Sequence, residues 1–262
     1  MKLSSVFGQI FLCSIPFGLI LLSASNSVEA QNRRGTTRKN RQRTSVQMPK
    51  QNQVTTAIVV DERLAVLRDR PSLMAVPVQR MRRGHEIQIL GNDEGDGVGF
   101  YRVQLSKNKF GYVQTQAVIT TSRRGDDERL ANLVRVSDGF EQIERATLFL
   151  NNYPKSVYRP AILLLLGDLL EESAQNLSRE ATRRFDADEI RATNAPVYSF
   201  YLNYNGLDRY GRLGIVFLFN QTAKQFHYDG ARWKEIILKH SNSSEAGEAE
   251  KRLNALAEKM KP

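Results

Sequence analysis

The period of the apolar residues changes near residue 122, and that change limits what the chain can fold into. From Thr55 to Thr120 apolar residues come in short runs, "AIVV", "LAVLR", "EIQIL", "FYRVQL", "FGYVQ" and "AVI", separated by Pro71, Pro77, Gly84, a glycine cluster and "SKNK". Ile87 and Ile89 fall on one face. Tyr101, Val103 and Leu105 share a face opposite Phe100, Arg102 and Gln104, the two-residue alternation of half-buried strands. Beyond "TSRRGDDERLANL" the period is helical: Leu130, Leu133, Val134, Ser137, Ile143, Ala146 and Leu150 approximate one face. Asp126, Asp127 and Glu128 stand where a helix N-terminus favours acids. The pattern predicts a multi-domain chain, with a small all-β barrel over 54–121 followed by an α-helical domain over 126–262.

In front of the barrel, Lys2, a long apolar run and the small-x-small pair Val28 and Ala30 read as a signal peptide over 1–30. The alternative is an uncleaved anchor, because the run approaches the ~20 residues that span a bilayer. Either reading makes the chain exported, to a periplasmic or extracellular place in the cell envelope. Residues 31–53 carry Arg33, Arg34, Arg38, Lys39, Arg41, Arg43 and Lys50 with no acid, and these account for most of the formal +10. Such a segment cannot bury a core and is expected to be a disordered linker, either a spacer or a contact for an anionic polymer. With the charge in a tail, no specific nucleic acid partner is expected. Cys13 is the only cysteine and lies in the leader, which excludes a disulfide framework, a thiolate metal site and a cysteine nucleophile from the rest.

"GNDEGDGVGF", residues 91 to 100, has the look of a calcium loop or a phosphate cradle. Asn92, Glu94, Asp96 and Gly97 occupy positions 1, 3, 5 and 6 of a calcium loop, but position 12 is Val103, so the bidentate carboxylate is missing. The lysine and the glycine spacing of a phosphate cradle are missing too. A wide hairpin turn fits best, because Gly and Asp supply positive φ and local hydrogen bonds.

Read in order, the strand residues resemble the bacterial SH3-like (SH3b) family: Leu67, Arg68, Pro71 and Ser72, then Met81, Gly84, Ile87 and Ile89, then Gly99, Phe100, Tyr101 and Val103, and finally Gly111, Tyr112 and Val113. Val66, Arg70, Phe100 and Tyr112 replace the Asn, Gly and Trp residues that the family prefers. The resemblance implies a barrel that in some members binds peptidoglycan peptides, with a groove between the loop after Arg68 and the 91–99 loop. Its candidate residues are Arg68, Asp69, Arg70, Phe100 and Tyr112, with plain barrel packing as the alternative for each aromatic.

The helical part breaks at "NNYPKS", where Ser156 can cap a second helix through "VYRPAILLLLGDLLEESAQN"; its apolar centre is too short to cross a membrane and reads as buried. This helix pair is similar to tetratricopeptide (TPR)-like hairpins, and a diverged copy follows 87 residues on, where Ala146 meets Trp233, Phe149 meets Ile236, Ser156 meets Ser243 and Ile162 meets Ala249. Between the copies, Tyr201, Tyr204, Arg209 and Tyr210 either line a partner-binding face or pack a core. "GIVFLF" reads equally as helix or strand.

His85, His227 and His240 show no zinc spacing, and no Gly-x-Ser-x-Gly elbow is present. Glu171 with Glu172, and Asp186, Asp188 and Glu189, read as solvated helix faces. No enzyme, cofactor or metal is expected. The expectation is a non-catalytic envelope protein whose barrel recognises a cell-wall or peptide ligand and whose helices engage another envelope protein. The alternatives are a pure protein–protein scaffold with a structural barrel, and an accessory subunit of a cell-wall hydrolase.

Overall fold

Seven short strands pair antiparallel in the order β3-β2-β6-β5-β4-β1-β7 in the computed structural model, which describes residues 55–185, 188, 191, 192 and 194–261. The leader, the 31–53 segment, Asp186 and Glu189 lie outside the described residues. The strands are β1 (Thr55–Val59), β2 (Val66–Arg68), β3 (Pro77–Arg80), β4 (Glu86–Gly95), β5 (Val98–Ser106), β6 (Lys109–Gln114) and β7 (Val118–Thr120). The expected alternation holds: Ile87, Tyr101 and Val103 enter one apolar cluster with Ala57, Leu67 and Val113, and Ile89 and Leu105 pack against it.

The glycine-rich stretch is mostly strand. Asn92, Asp93, Glu94 and Gly95 pair with Tyr101, Phe100, Gly99 and Val98, so the turn is only Asp96–Gly97. Both residues have positive φ, 53° and 71°. That is the backbone of a tight two-residue hairpin, not of the wide loop the sequence suggested.

Five long helices follow: α1 (Asp126–Val136), α2 (Gly139–Asn152), α3 (Arg159–Arg184), α4 (Ala231–Lys239) and α5 (Ala246–Lys259). The single helical stripe from Leu130 to Leu150 is interrupted because Ser137 and Asp138 are extended and Gly139 has φ 55°, which folds α1 back on α2. The second helix pair repeats the first at the level of backbone bonding. Tyr153, Ser156 and Arg159 donate to the carbonyls of Phe149, Tyr153 and Ser156; 87 residues later His240, Ser243 and Ala246 donate to Ile236, His240 and Ser243. Trp233, at the position of Ala146, lies on α3 over Gly167, where any Cβ would occupy the space of the indole.

The aromatic segment between the copies folds as a short helix, Val197–Leu202, two further single turns, and a hairpin of β8 (Phe217–Asn220) and β9 (Gln225–Tyr228). The second half of "GIVFLF", Phe217–Phe219, is thereby resolved as strand. The free edge of β9 docks on α3: the Phe226 N–H donates to Ser178 Oγ at 2.7 Å, and the Tyr228 N–H to Glu171 Oε2 at 3.0 Å. Edge donors that would otherwise be orphaned are satisfied by helix side chains.

Sheet and helices belong to one compact unit. Their joint is Asp126, 2% exposed, which accepts the Thr120 N–H at 2.8 Å and the guanidinium groups of Arg123 and Arg129 at 2.6 and 3.2 Å. Arg123 and Arg129 in turn donate to the Val118 carbonyl, and Tyr153 Oη to that of Thr120 at 3.0 Å. Burial of Tyr153 beside Asp126 pushes its hydroxyl well above the ordinary phenol range. Val60 and Ile119 of the sheet share a buried cluster with the helices. What the sequence reads as a boundary at Arg123–Gly125 is thus a packed junction. No helix among the described residues is long and apolar enough to cross a membrane.

Candidate functional site

The groove expected on the sheet is covered by its own chain. Asp96 accepts from Ser72 Oγ and from the Leu73 N–H, both at 2.7 Å, and these bonds hold its carboxyl below the usual range. Gly95 lies against Pro71 so closely that a Cβ would fall inside the Pro71 carbonyl. The loop after Arg68 is therefore fastened to the hairpin tip. Phe100, paired with Gln114 on the face away from the sheet's core cluster, is fully buried, Val66 and Ala75 are buried too, and none of the three belongs to either apolar cluster. Phe100 is a packing residue and not an accessible groove floor, which is the packing alternative that the sequence left open for it.

The other sheet candidates are accounted for individually. Arg68 donates to the Ala75 carbonyl at 2.8 Å, while its Nε is buried without a partner. Asp69 accepts the Val76 N–H at 3.1 Å, and Arg70 is exposed near Asp69. Tyr112 is half-buried opposite Arg68 and Arg102, on the same outer face as the exposed Phe110.

Among the helical candidates, Tyr201, Tyr204 and Tyr210 are buried, 1%, 7% and 3% exposed. Tyr201 stacks on Phe219 at 4.8 Å, and Tyr210 meets Phe217 edge-on at 5.1 Å. The three rings fill the space between the helix pairs, so the partner-facing reading fails for them: an aromatic body with a polar tip suits a core whose tip is bonded as well as it suits an interface. Tyr204, for instance, donates to Glu180 at 3.2 Å.

Arg209 is different. It is exposed, and its guanidinium carbon lies 4.8 and 4.9 Å from the ring centres of Phe140 and Tyr210. Its Nη2 donates to Tyr210 Oη at 3.1 Å, and Phe140 and Tyr210 pack edge to face at 5.3 Å. Cation–π contact on two rings holds the charge at the mouth of a cleft of about 530 Å³ between the start of α2 and the middle of α3. Phe140 and Leu169 give that cleft an apolar part, and Glu172, Arg183 and Arg209 charges of both signs. Such a lining suits a peptide with apolar and charged side chains. The sequence contained Arg209 but not the signal that Phe140, 69 residues earlier, would support it.

A second feature was missed. Glu171 is mostly buried and not part of a solvated face: Oε1 accepts from His227 Nδ1 at 3.0 Å and Lys259 Nζ at 2.8 Å, and Oε2 takes the Tyr228 N–H. Burial alone would raise its pKa, but those three donors outweigh it and keep the carboxyl below its ordinary value. Ser178, close by in the same cleft lining as His227, accepts the Phe226 N–H and donates to the Ala174 carbonyl. Its hydroxyl is committed to structure, and no Ser–His–carboxylate relay is assembled. Among the described residues, no group of three or more His, Cys, Asp or Glu is placed to hold a metal ion.

Comparison with family models, curated proteins and solved structures finds no match to this chain.

Proposed function

We propose that the chain is a non-catalytic exported cell-envelope protein in which an SH3-like sheet module serves as a structural base and a TPR-like helical stack recognises another protein. The observation that carries the reading is Arg209 held over Phe140 and Tyr210 at the mouth of the α2–α3 cleft. The repeated turn bonding of the two helix pairs supports the repeat reading, since stacked hairpins generate such concave surfaces. The fastened loop over Phe100 argues for recognition away from the sheet groove.

A second reading has its own support. Phe110 is 52% exposed beside Tyr112 and Arg68, an outer face on which a cell-wall peptide could lie.

One experiment separates the two. A photo-crosslinking residue at Glu172 in the full chain should give a discrete protein adduct in the envelope, lost in R209A; the same residue at Lys107 on the sheet should not. Retention on purified peptidoglycan that survives R209A and is abolished by Y112A would overturn the leading reading and install the second.

A further inference from the structure

We propose that the cleft between α3 and the β8–β9 turn is a binding site for a phosphate-rich anion, adjoining the Arg209 cleft across Arg179 and Arg183, which line both. The cleft holds about 800 Å³ and its charged lining residues are all cationic: Arg179, Arg183, Lys224 and Lys259, with His227 at its wall. Gln175, Gln225 and Thr182 add neutral hydrogen-bonding groups.

The cations come from three elements that are braced for the purpose. Arg179 and Arg183 are one turn apart on α3, so they share a face. Asn220 Oδ1 accepts the N–H groups of Thr222 and Ala223 at 3.0 and 3.1 Å, which shapes the turn, and its Nδ2 donates to the Lys259 carbonyl at 2.9 Å, which ties the turn to the end of α5. Lys224 closes that turn with φ 52°. Glycine or asparagine would adopt this left-handed backbone at lower cost, so what lysine contributes at the position is its cation.

The nearby carboxylate, Glu171, offsets Lys259, with which it pairs at 2.8 Å, and leaves Arg179, Arg183 and Lys224 uncompensated. Both oxygens of Glu171 are occupied by His227, Lys259 and the Tyr228 N–H. Arg179 is bonded only to the neutral Asn176, and Arg183 and Lys224 form no ion pair among the described residues. Like charges brought together at an exposed cleft repel unless an anion bridges them. A group with several acceptor oxygens and more than one negative charge matches the three unpaired cations in a space of this size better than a single carboxylate does.

The probe is inorganic tripolyphosphate, titrated calorimetrically into the full chain at low salt. R183Q/K224Q should bind about tenfold more weakly or worse, as expected for losing charge-assisted bonds, whereas K107Q/K155Q, with the same loss of charge on other elements, should change affinity less than threefold. Equal weakening by both pairs would mean that general charge, including the 31–53 segment, does the binding, and it would overturn the proposal; so would absence of binding by the unaltered chain. Phosphatidylglycerol vesicles form a second arm. Vesicle binding that depends on Arg183 and Lys224 and is displaced by tripolyphosphate would place the anion on a lipid headgroup, and tripolyphosphate binding alone would make it a soluble ligand. Emission of Trp233 checks folding, and K224Q alone carries the test if the double variant unfolds.

Discussion

Gly95 and Asp96 decide between an open and a covered groove with two atoms' worth of space. Alanine at 95 has no room beneath the Pro71 carbonyl. G95A should therefore destabilise by about 1–3 kcal/mol, the usual cost of overpacking, and should release the loop after Arg68. Faster amide exchange at Leu73, which donates to Asp96, is the measurement that checks it. Glu171 gives a second prediction, in pH. Its folded value is depressed, so the stabilisation it provides is fully present above the ordinary value of 4.5 and is lost as pH falls through the lower folded value. E171Q should cost about 2 kcal/mol at pH 7, and its gap from the unaltered protein should shrink as pH drops below 4.5. Urea titrations from pH 7 to pH 3, followed through Trp233 emission, test both limbs.

At the scale of elements, α3 is the support on which the second helix pair and the β8–β9 hairpin rest, and Gly167 is where it admits Trp233. A methyl group there collides with the indole, so G167A should lower stability by about 1–3 kcal/mol and shift the emission of the only tryptophan to the red. Denaturant melts with and without the substitution give both numbers. The elements themselves were largely legible. Strand faces at Ile87 and Ile89 or at Tyr101 and Val103 carry their own period, and the offset of 87 residues survives in turn bonds that depend only on local backbone. The candidate sites were less so. Phe100 falls on the face that alternation assigns to solvent, and only the distant contacts of Pro71, Ser72 and Leu73 with the hairpin tip reveal the cover. Glu171 looks solvated until β9, more than fifty residues downstream, supplies its donors. Tyr201, Tyr204 and Tyr210 have a composition that fits core and interface alike, and position alone decided between them.

The whole molecule turns on Asp126. Its carboxylate satisfies a sheet N–H and two arginines at once, so replacing it with asparagine sets an amide NH₂ among donors and leaves two half-buried cations short of charge. D126N should destabilise by about 3 kcal/mol, in the range for breaking a buried ion pair. In the unaltered protein, Trp233 emission and amide exchange in β5 should report one coincident transition, because sheet and helices share a cluster through Val60 and Ile119. Two separated transitions would contradict that coupling.

The place of β1 in the sheet has a mechanical meaning. It is bonded on one side to β4, Thr55 opposite Ile89, and on the other to β7, Val59 opposite Val118. A pull applied to the chain ahead of Thr55 runs along a strand clamped on both flanks. On the β7 side Ala57 pairs with Thr120, so the end of β7 that leads to α1 lies beside the N-terminal part of β1, and tension between the two would part that ladder bond by bond. The bonds that such a pull meets first on this flank are thus those beside Thr120, whose N–H the Asp126 joint holds.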